Sequence, residues 1–273
     1  MKMKLYAITL AAAVATATVF IGGCKNSDAN ENPDVPNPVH YHHYQEGSCA
    51  VCGTKLAVTH SLEYTINEKE NGYIVKELGD TNVHDVVIPS EYDGLPVTGI
   101  DNYAFYKSNH VKSIYIPESV KDIGSCSFLG CSELGSITVN AANEYLKSEY
   151  DCLLFKDGKT LIFGSINSVI PGSVNEISYY AFSHCKSLKR ITVPDSVTLI
   201  NSFAFLDCSS LSEITLPVSL NTIGIFSFKN CASLKTINYQ GTKAQWEAVN
   251  KPTWWDSETD NYTVKCTDGN LKK

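Results

Sequence analysis

The sequence has no glycine-rich phosphate loop, no nucleophile elbow and no paired-carboxylate signature, so the familiar catalytic motifs are missing from it. Basic clusters are missing as well. The 22 lysines and arginines are outnumbered by 29 aspartates and glutamates, for a net charge of −7, and the balance becomes more acidic once Lys2 and Lys4 leave with the leader described below. An acidic chain without a basic stripe fits neither nucleic acid nor an anionic membrane surface. Past residue 24, no apolar run is long enough to span a bilayer.

What the sequence does have is a period. Phe105 and Phe128 are 23 residues apart, and Phe182, Phe205 and Phe228 repeat that spacing after a gap of 54. Other positions keep the same register. Three residues after each Phe comes Ser108, Cys131, Cys185, Cys208 or Cys231, and six after it Val111, Leu134, Leu188, Leu211 or Leu234. Nine after it comes Ile114, Ile137, Ile191, Ile214 or Ile237, and five before it Ile100, Ile123, Ile177, Ile200 or Ile223. Pro117, Pro171, Pro194 and Pro217 precede four of the five rings by eleven residues, and the residue just before each ring is Ala or Ser. A fixed period in the 20s marks a solenoid, whose coils bury their apolar faces only against one another. Each coil hides roughly five large apolar side chains, each worth about 1.5–3 kcal/mol when covered.

Within a coil, Arg190-Ile191-Thr192-Val193 alternates with β-branched residues and reads as a strand, ended by a proline that has no N–H to continue the ladder. The other half, S-V-x-x-I-x-x-x-A-F, is too short for a helix and is expected to return as a short extended or irregular segment.

These units resemble the leucine-rich repeats of BspA-type bacterial surface proteins, with their I-x-x-x-A-F-x-x-C-x-x-L-x-x-I-x-I-P signature, over residues 62–273. The resemblance implies a right-handed, α/β-poor repeat solenoid: a coil stack with a parallel β-sheet on its concave face, a hairpin insert and capped ends. Residues 140–169 break the period. There Leu153-Leu154-Phe155 and Leu161-Ile162-Phe163 flank Lys156-Asp157-Gly158-Lys159, a hairpin turn signal. This is similar to an insert that such arrays carry, except that Cys152 replaces a glycine. An N-terminal cap hairpin is expected over 62–87, around Asn71-Gly72. A C-terminal cap is expected over 239–273, with a short helix at Lys243 to Val249 and a strand at Tyr262 to Cys266.

Residues 1–23 read as a lipoprotein signal peptide: Lys2 and Lys4, an apolar stretch from Leu5 to Phe20, then Ile21-Gly22-Gly23-Cys24. The last four resemble the bacterial lipobox, which implies lipidation of Cys24 and an outer-membrane, surface-facing anchor. Residues 24–39 are polar and proline-rich and read as a flexible tether.

Residues 40–61 hold His40, His42, His43, Cys49, Cys52 and His60. The spacing Cys49-x2-Cys52 with two imidazoles can close a tetrahedral zinc site, for which His42, His43, Cys49 and Cys52 are the candidate ligands. A Cys49–Cys52 disulfide or free thiols remain equal alternatives. The repeat cysteines Cys131, Cys185, Cys208 and Cys231 fall on an inward slot, where a thiol packs as a small hydrophobe. Cys126 occupies a slot filled elsewhere by Tyr103, Tyr180, Phe203 and Phe226. His184 shares its slot with Lys107, Gly130, Asp207 and Asn230, a variety that reads as exposed turn. His84 and His110 read as surface residues.

By alternation, the outward side chains of the repeat strands are Ser113, Tyr115, Ser136, Thr138, Arg190, Thr192, Glu213, Thr215, Thr236 and Asn238. They are the candidate ligand-binding strip. The expectation is a non-enzymatic surface protein that binds host or bacterial proteins, as adhesins resembling it do. The alternative is a glycan-binding accessory for nutrient capture, to which Trp254 and Trp255 could contribute stacking.

Overall fold

The computed structural model describes residues 44–45, 48–49, 57–80 and 82–273. The leader, Cys24, the tether, His40, His42, His43 and Cys52 lie outside the described residues. Tyr44–Gln45 and Ser48–Cys49 form a short antiparallel pair. Among the described residues no helix is long and apolar enough to cross a membrane.

The chain winds into a β-solenoid of about eight turns. Each coil supplies one strand to each of two rows. The first row runs Asp85–Val87, Ser113–Ile116 and Ser136–Val139, all parallel. It resumes with Arg190–Thr192, Glu213–Leu216, Thr236–Tyr239 and Thr263–Cys266, closed by the antiparallel Gly269–Lys272. The second row uses the recurrent isoleucines in very short strands: Asp122–Ile123 on Leu95–Ile100, then Glu176–Ile177, Leu199–Ile200 and Thr222–Ile223.

The sheet is therefore not one continuous ladder. The first row stops at Val139 and the second at Ile123, and between them and the following coils lies the insert, which carries three strands rather than a plain hairpin: Leu146–Glu149, Cys152–Phe155 and Thr160–Gly164. Tyr150 and Asp151 make the first turn with φ of 49° and 59°, the doubly left-handed geometry of a two-residue hairpin loop. Gly158, at φ 71°, makes the second turn where Asp157-Gly158 predicts it. The insert heads the second row of the following coils, with Thr160–Gly164 parallel to Glu176–Ile177.

This three-stranded element is a septum. Leu146, Leu153 and Phe163 belong to the core of the preceding coils, whereas Cys152, Leu154 and Leu161 belong to the core of the following ones. Alternating residues of one strand point to opposite faces, so Cys152-Leu153-Leu154, all fully buried, seals both cores at once. An unbroken apolar run is the sequence signature of a strand covered on both sides. We call the coils before it the N-stack and those after it the C-stack.

The five phenylalanines line up. Phe105 and Phe128 have centroids 5.5 Å apart and planes within 4°. Phe182, Phe205 and Phe228 follow at 5.0 and 5.1 Å. These spacings match the separation of neighbouring parallel strands. The septum's Phe163 extends the N-stack row, 5.2 Å from Phe128, and Gly164 lets Phe182 close down on the septum, where an added Cβ would lie 2.0 Å from its ring.

The return half of each coil is more regular than the sequence suggests. After the two-residue strand, the chain makes a turn with two left-handed residues per coil: Tyr103 and Lys107, Cys126 and Gly130, Tyr180 and His184, Phe203 and Asp207, Phe226 and Asn230, all with φ between 58° and 86°. Left-handed backbone costs a bulky residue about 1–2 kcal/mol, and lateral bonding offsets it. In one coil the amides of Phe203, Phe205 and Asp207 donate to carbonyls of Ile225, Ser227 and Lys229 in the next.

Both caps form. Leu62–Ile66 and Tyr73–Leu78 pair antiparallel. Their loop places Glu70, not Gly72, at positive φ; Gly72 is required instead because a Cβ there would come within 2.7 Å of Thr98 and 2.8 Å of the Pro96 carbonyl. At the other end Thr242 and Gln245 form a capping box on the helix Lys243–Ala248, which buries Trp246. Residues 250–257 then serve as a final half-coil, with Trp254, Trp255 and Ser257 carbonyls accepting from Phe226, Phe228 and Asn230.

Candidate recognition surface

The strip expected from strand alternation exists, but its two halves differ. In the C-stack, Arg190 and Thr192 are exposed and Glu213, Thr215, Thr236 and Asn238 are half-buried, on strands whose registers align Arg190 with Glu213 and Thr236, and Thr192 with Thr215 and Asn238. Asn238 donates to Glu213 Oε1. The Arg190 side chain has no hydrogen-bond or ion-pair partner among the described residues.

The N-stack half requires a correction. Ser113 and Ser136 are only 2 % and 1 % exposed, so they are not outward-facing in any sense a ligand could use. Both side chains are short and lie in one ladder line with Asp85. Ser113 donates to Asp85 Oδ1, and septum residues Ser165 and Asn167 bond the Gly135 carbonyl beside Ser136. Tyr115 is half-buried, its hydroxyl accepting from Asn140 at 2.9 Å while Asn140 also donates to Glu118 at 2.9 Å. Burial pushes the Tyr115 phenol above its ordinary range. Only Thr138 stays partly open without such a bond.

The inward cysteines lie where the repeat puts them, with a role beyond filling space. Cys131, Cys208 and Cys231 donate their thiols to the carbonyls of Phe105, Phe182 and Phe205 in the preceding coil, at 3.1, 3.0 and 3.2 Å. Cys185 donates to Gly164 of the septum at 3.6 Å. A thiol bonding the carbonyl beside the stacked ring explains a preference for Cys over Ala at this slot. Desolvation raises all of them, with Cys185, Cys231 and the septum's Cys152 moved from 9.0 to about 12. They are neutral thiols and poor nucleophiles. Every cysteine among the described side chains is free.

His184 is better connected than its slot implies. Its Nδ1 lies 2.8 Å from Ser183 Oγ and its Nε2 3.2 Å from Asp207 Oδ2. The three residue types are those of a nucleophilic triad. Ser183, however, is 2 % exposed, and its hydroxyl also donates to the Leu206 carbonyl, so no substrate carbonyl can approach it. Burial lowers the His184 pKa, against the opposing pull of Asp207. The ladder continues as Asn230 donates to Asp207, which makes it a lateral tie between turns. His84 and His110 are also tied together: His84 Nδ1 lies 2.9 Å from the His110 carbonyl.

No group of three or more metal-ligating side chains gathers among the described residues. His60 is exposed, Cys49 enters only through the backbone of its strand, and its three proposed co-ligands are outside the described residues.

The slot of Tyr180, Phe203 and Phe226 forms a second, outer row. Tyr180 and Phe203 stack at 4.8 Å, Phe203 and Phe226 lie at 5.5 Å, and Trp254 continues the row 6.2 Å from Phe226. Trp255 packs into the C-terminal cap against Phe228, Trp246 and Tyr262, whereas Trp254 is 60 % exposed.

With this geometry established, comparison with known proteins is direct. The family model for the BspA type leucine rich repeat region matches residues 79–152 and 163–248 in six copies. The chain belongs to that family. The two matched blocks are separated at the septum. Among solved structures, the BspA-type chain is similar to a leucine rich repeat protein of T. pallidum at 28% identity, over 65% of this chain and 68% of that one, with a TM-score of 0.37. It is also similar to a leucine-rich repeat protein from Bacteroides ovatus at 27% identity, over 67% and 46%, with a TM-score of 0.46. Pneumococcal vaccine antigen PcpA matches at 19% identity over 66% and 57%, with a TM-score of 0.49. The family assignment rests on the repeat match and not on these superpositions. No curated protein matches the chain.

Proposed function

We propose that this BspA-type chain is a non-enzymatic, lipid-anchored surface protein that recognises other proteins through the open half of its repeat sheet, at Arg190, Thr192, Glu213, Thr215, Thr236 and Asn238. Leucine-rich-repeat families generally bind proteins. The observation that carries the reading is the uncommitted Arg190, presented beside Glu213 on a hydroxyl-rich surface whose N-stack counterpart is bonded and closed. Arginine is enriched among residues that dominate interface energetics. Anchoring would come from Cys24. In the His/Cys segment, His42, His43, Cys49 and Cys52 are proposed to hold a structural zinc.

The test is affinity capture of host and bacterial surface proteins by the full-length chain and by Arg190→Ala/Glu213→Ala, alongside a glycan array. Protein capture reduced at least tenfold in the double variant supports the reading. Capture unchanged in that variant rules out the sheet face, and binding to glycans alone favours the accessory role instead. Zinc at one equivalent in the wild type and lost in Cys49→Ser supports the knuckle; no zinc in either removes it.

A further inference from the structure

Coil-to-coil bonding in the turn region follows one rule, and the rule fails most completely at one place. Elsewhere alternating turn amides donate to carbonyls of the next coil, with only the Tyr180 amide left out among the described residues, and the last coil finds its acceptors in the C-terminal cap. The coil before the septum does not. The amides of Cys126 and Phe128 have no acceptor among the described residues, and across the gap the Tyr179 carbonyl has no donor. The reason is geometric: the septum inserts a straight strand where a turn would lie, and only its Gly164 amide reaches the next coil, at the Ala181 carbonyl.

The gap is a pocket of about 210 Å³. One wall is the 123–129 turn, the other Ser178 to Tyr180, and the floor is Ile162 and Phe163. The outer aromatic row is broken here: Cys126 stands where sister coils carry a ring, and the notch separates it from Tyr180. The pocket's mouth is apolar, with Phe155 47 % and Tyr179 60 % exposed.

We propose that this notch binds an extended peptide segment of another protein, which inserts as the missing turn and places one aromatic side chain between Cys126 and Tyr180. The open N–H groups on one wall and the open carbonyl on the other are complementary to a peptide backbone, which offers both an acceptor and a donor. This is strand addition carried out inside a stack rather than at a sheet edge. Size argues the same way: drug-sized ligands occupy about 300–1,000 Å³, so the notch suits a single side chain attached to a strand. Ring stacking at the spacing seen for Tyr180 and Phe203 would complete the row.

The chain's own turn supplies a probe. A labelled peptide Asn-Ser-Phe-Ala-Phe-Leu-Asp, copying residues 201–207, is titrated against the full-length protein by fluorescence polarisation. Saturable binding with half-saturation below about 1 mM is expected, weakened at least tenfold when both phenylalanines become alanine, and likewise when the first phenylalanine is N-methylated, which removes the amide N–H that in the parent turn donates to the next coil. Ile162→Trp, which raises the notch floor from the septum with a bulkier side chain, should weaken binding at least tenfold in a protein as stable as the wild type. Arg190→Ala should leave it unchanged, which separates this site from the sheet face. Absence of saturation, or binding undiminished by Ile162→Trp, would overturn the proposal. A second variant, Tyr180→Ala, which removes the ring from the opposite wall, should weaken the peptide at least fivefold.

Discussion

The two stacks are built from one repeat and differ in what they leave open. In the N-stack the polar residues of the strand face are consumed internally: Ser113 by Asp85, Tyr115 by Asn140 and Asn140 by Glu118. In the C-stack the positions equivalent to Ser113 and Ser136 carry the longer Arg190, Glu213 and Thr236, and the Arg190 side chain is left unpartnered among the described residues. The inner row of rings is alike in both, at 5.0 to 5.5 Å between the repeat phenylalanines. A repeat therefore fixes its core slots and leaves its outward slots to individual coils. That is why a shared core says little about what the face binds.

The comparison can be broken at its strongest point by truncating rings. Phe205 is fully buried with a stacked ring on each side, so Phe205→Ala should destabilise the C-stack by about 3–5 kcal/mol. Phe105, stacked on one side only, should cost less when truncated. Denaturant unfolding measured on both variants should rank them in that order; equal losses would mean that the rows do not act through neighbour contacts.

Overpacking at the septum comes next. Gly164→Ala drives a methyl into the Phe182 ring, and a strained insertion of this kind costs about 1–3 kcal/mol. Because the damage sits between the stacks, unfolding should split into two transitions. A single transition shifted as a whole would show that the stacks are coupled by more than this contact.

Buried thiols give a pH test. The folded chain holds Cys152, Cys185 and Cys231 at about 12, against 9.0 when unconstrained. Above pH 9 the unfolded chain ionises these groups while the folded chain keeps them neutral, so deprotonation favours unfolding. Their contribution is complete below pH 9 and is lost as the pH rises toward 12. Replacing Cys185 and Cys231 by alanine should flatten this alkaline decline. The smallest effect should come from the face: Ser113→Ala is expected to cost about 1 kcal/mol through its lost buried bond, whereas Arg190→Ala should change stability by under about 0.5 kcal/mol.

Much of this architecture was legible because the repeat samples each position five times. The inward slots of Phe, Cys, Leu and Ile, the Asp157-Gly158 turn, the capping helix around Trp246 and the N-terminal hairpin all follow from period and turn chemistry. The left-handed pairs in each turn were hidden because Gly130 alone among them is a glycine; lateral hydrogen bonds hold Tyr103, Phe203 and Phe226 where sequence preference would not. The double-sided septum was visible only as the unbroken apolar run Cys152-Leu153-Leu154, which a hairpin reading does not distinguish from a one-sided strand. Alternation correctly predicted which strand residues share a face, yet not that Ser113 and Ser136 would be closed over, because that depends on the length of neighbouring side chains and on the septum loop. The notch at Cys126 depends on what the insert fails to supply to the coil before it, and no local pattern encodes that.

Hydrogen exchange across the insert tests the two-stack account most directly. If Cys152–Phe155 and Thr160–Gly164 form a wall between two cores, their amides should exchange as slowly as those of Ile114–Ile116 and Ile214–Leu216 on either side. Fast exchange throughout both insert strands, with the flanking coils still protected, would show an ordinary surface hairpin and contradict the account.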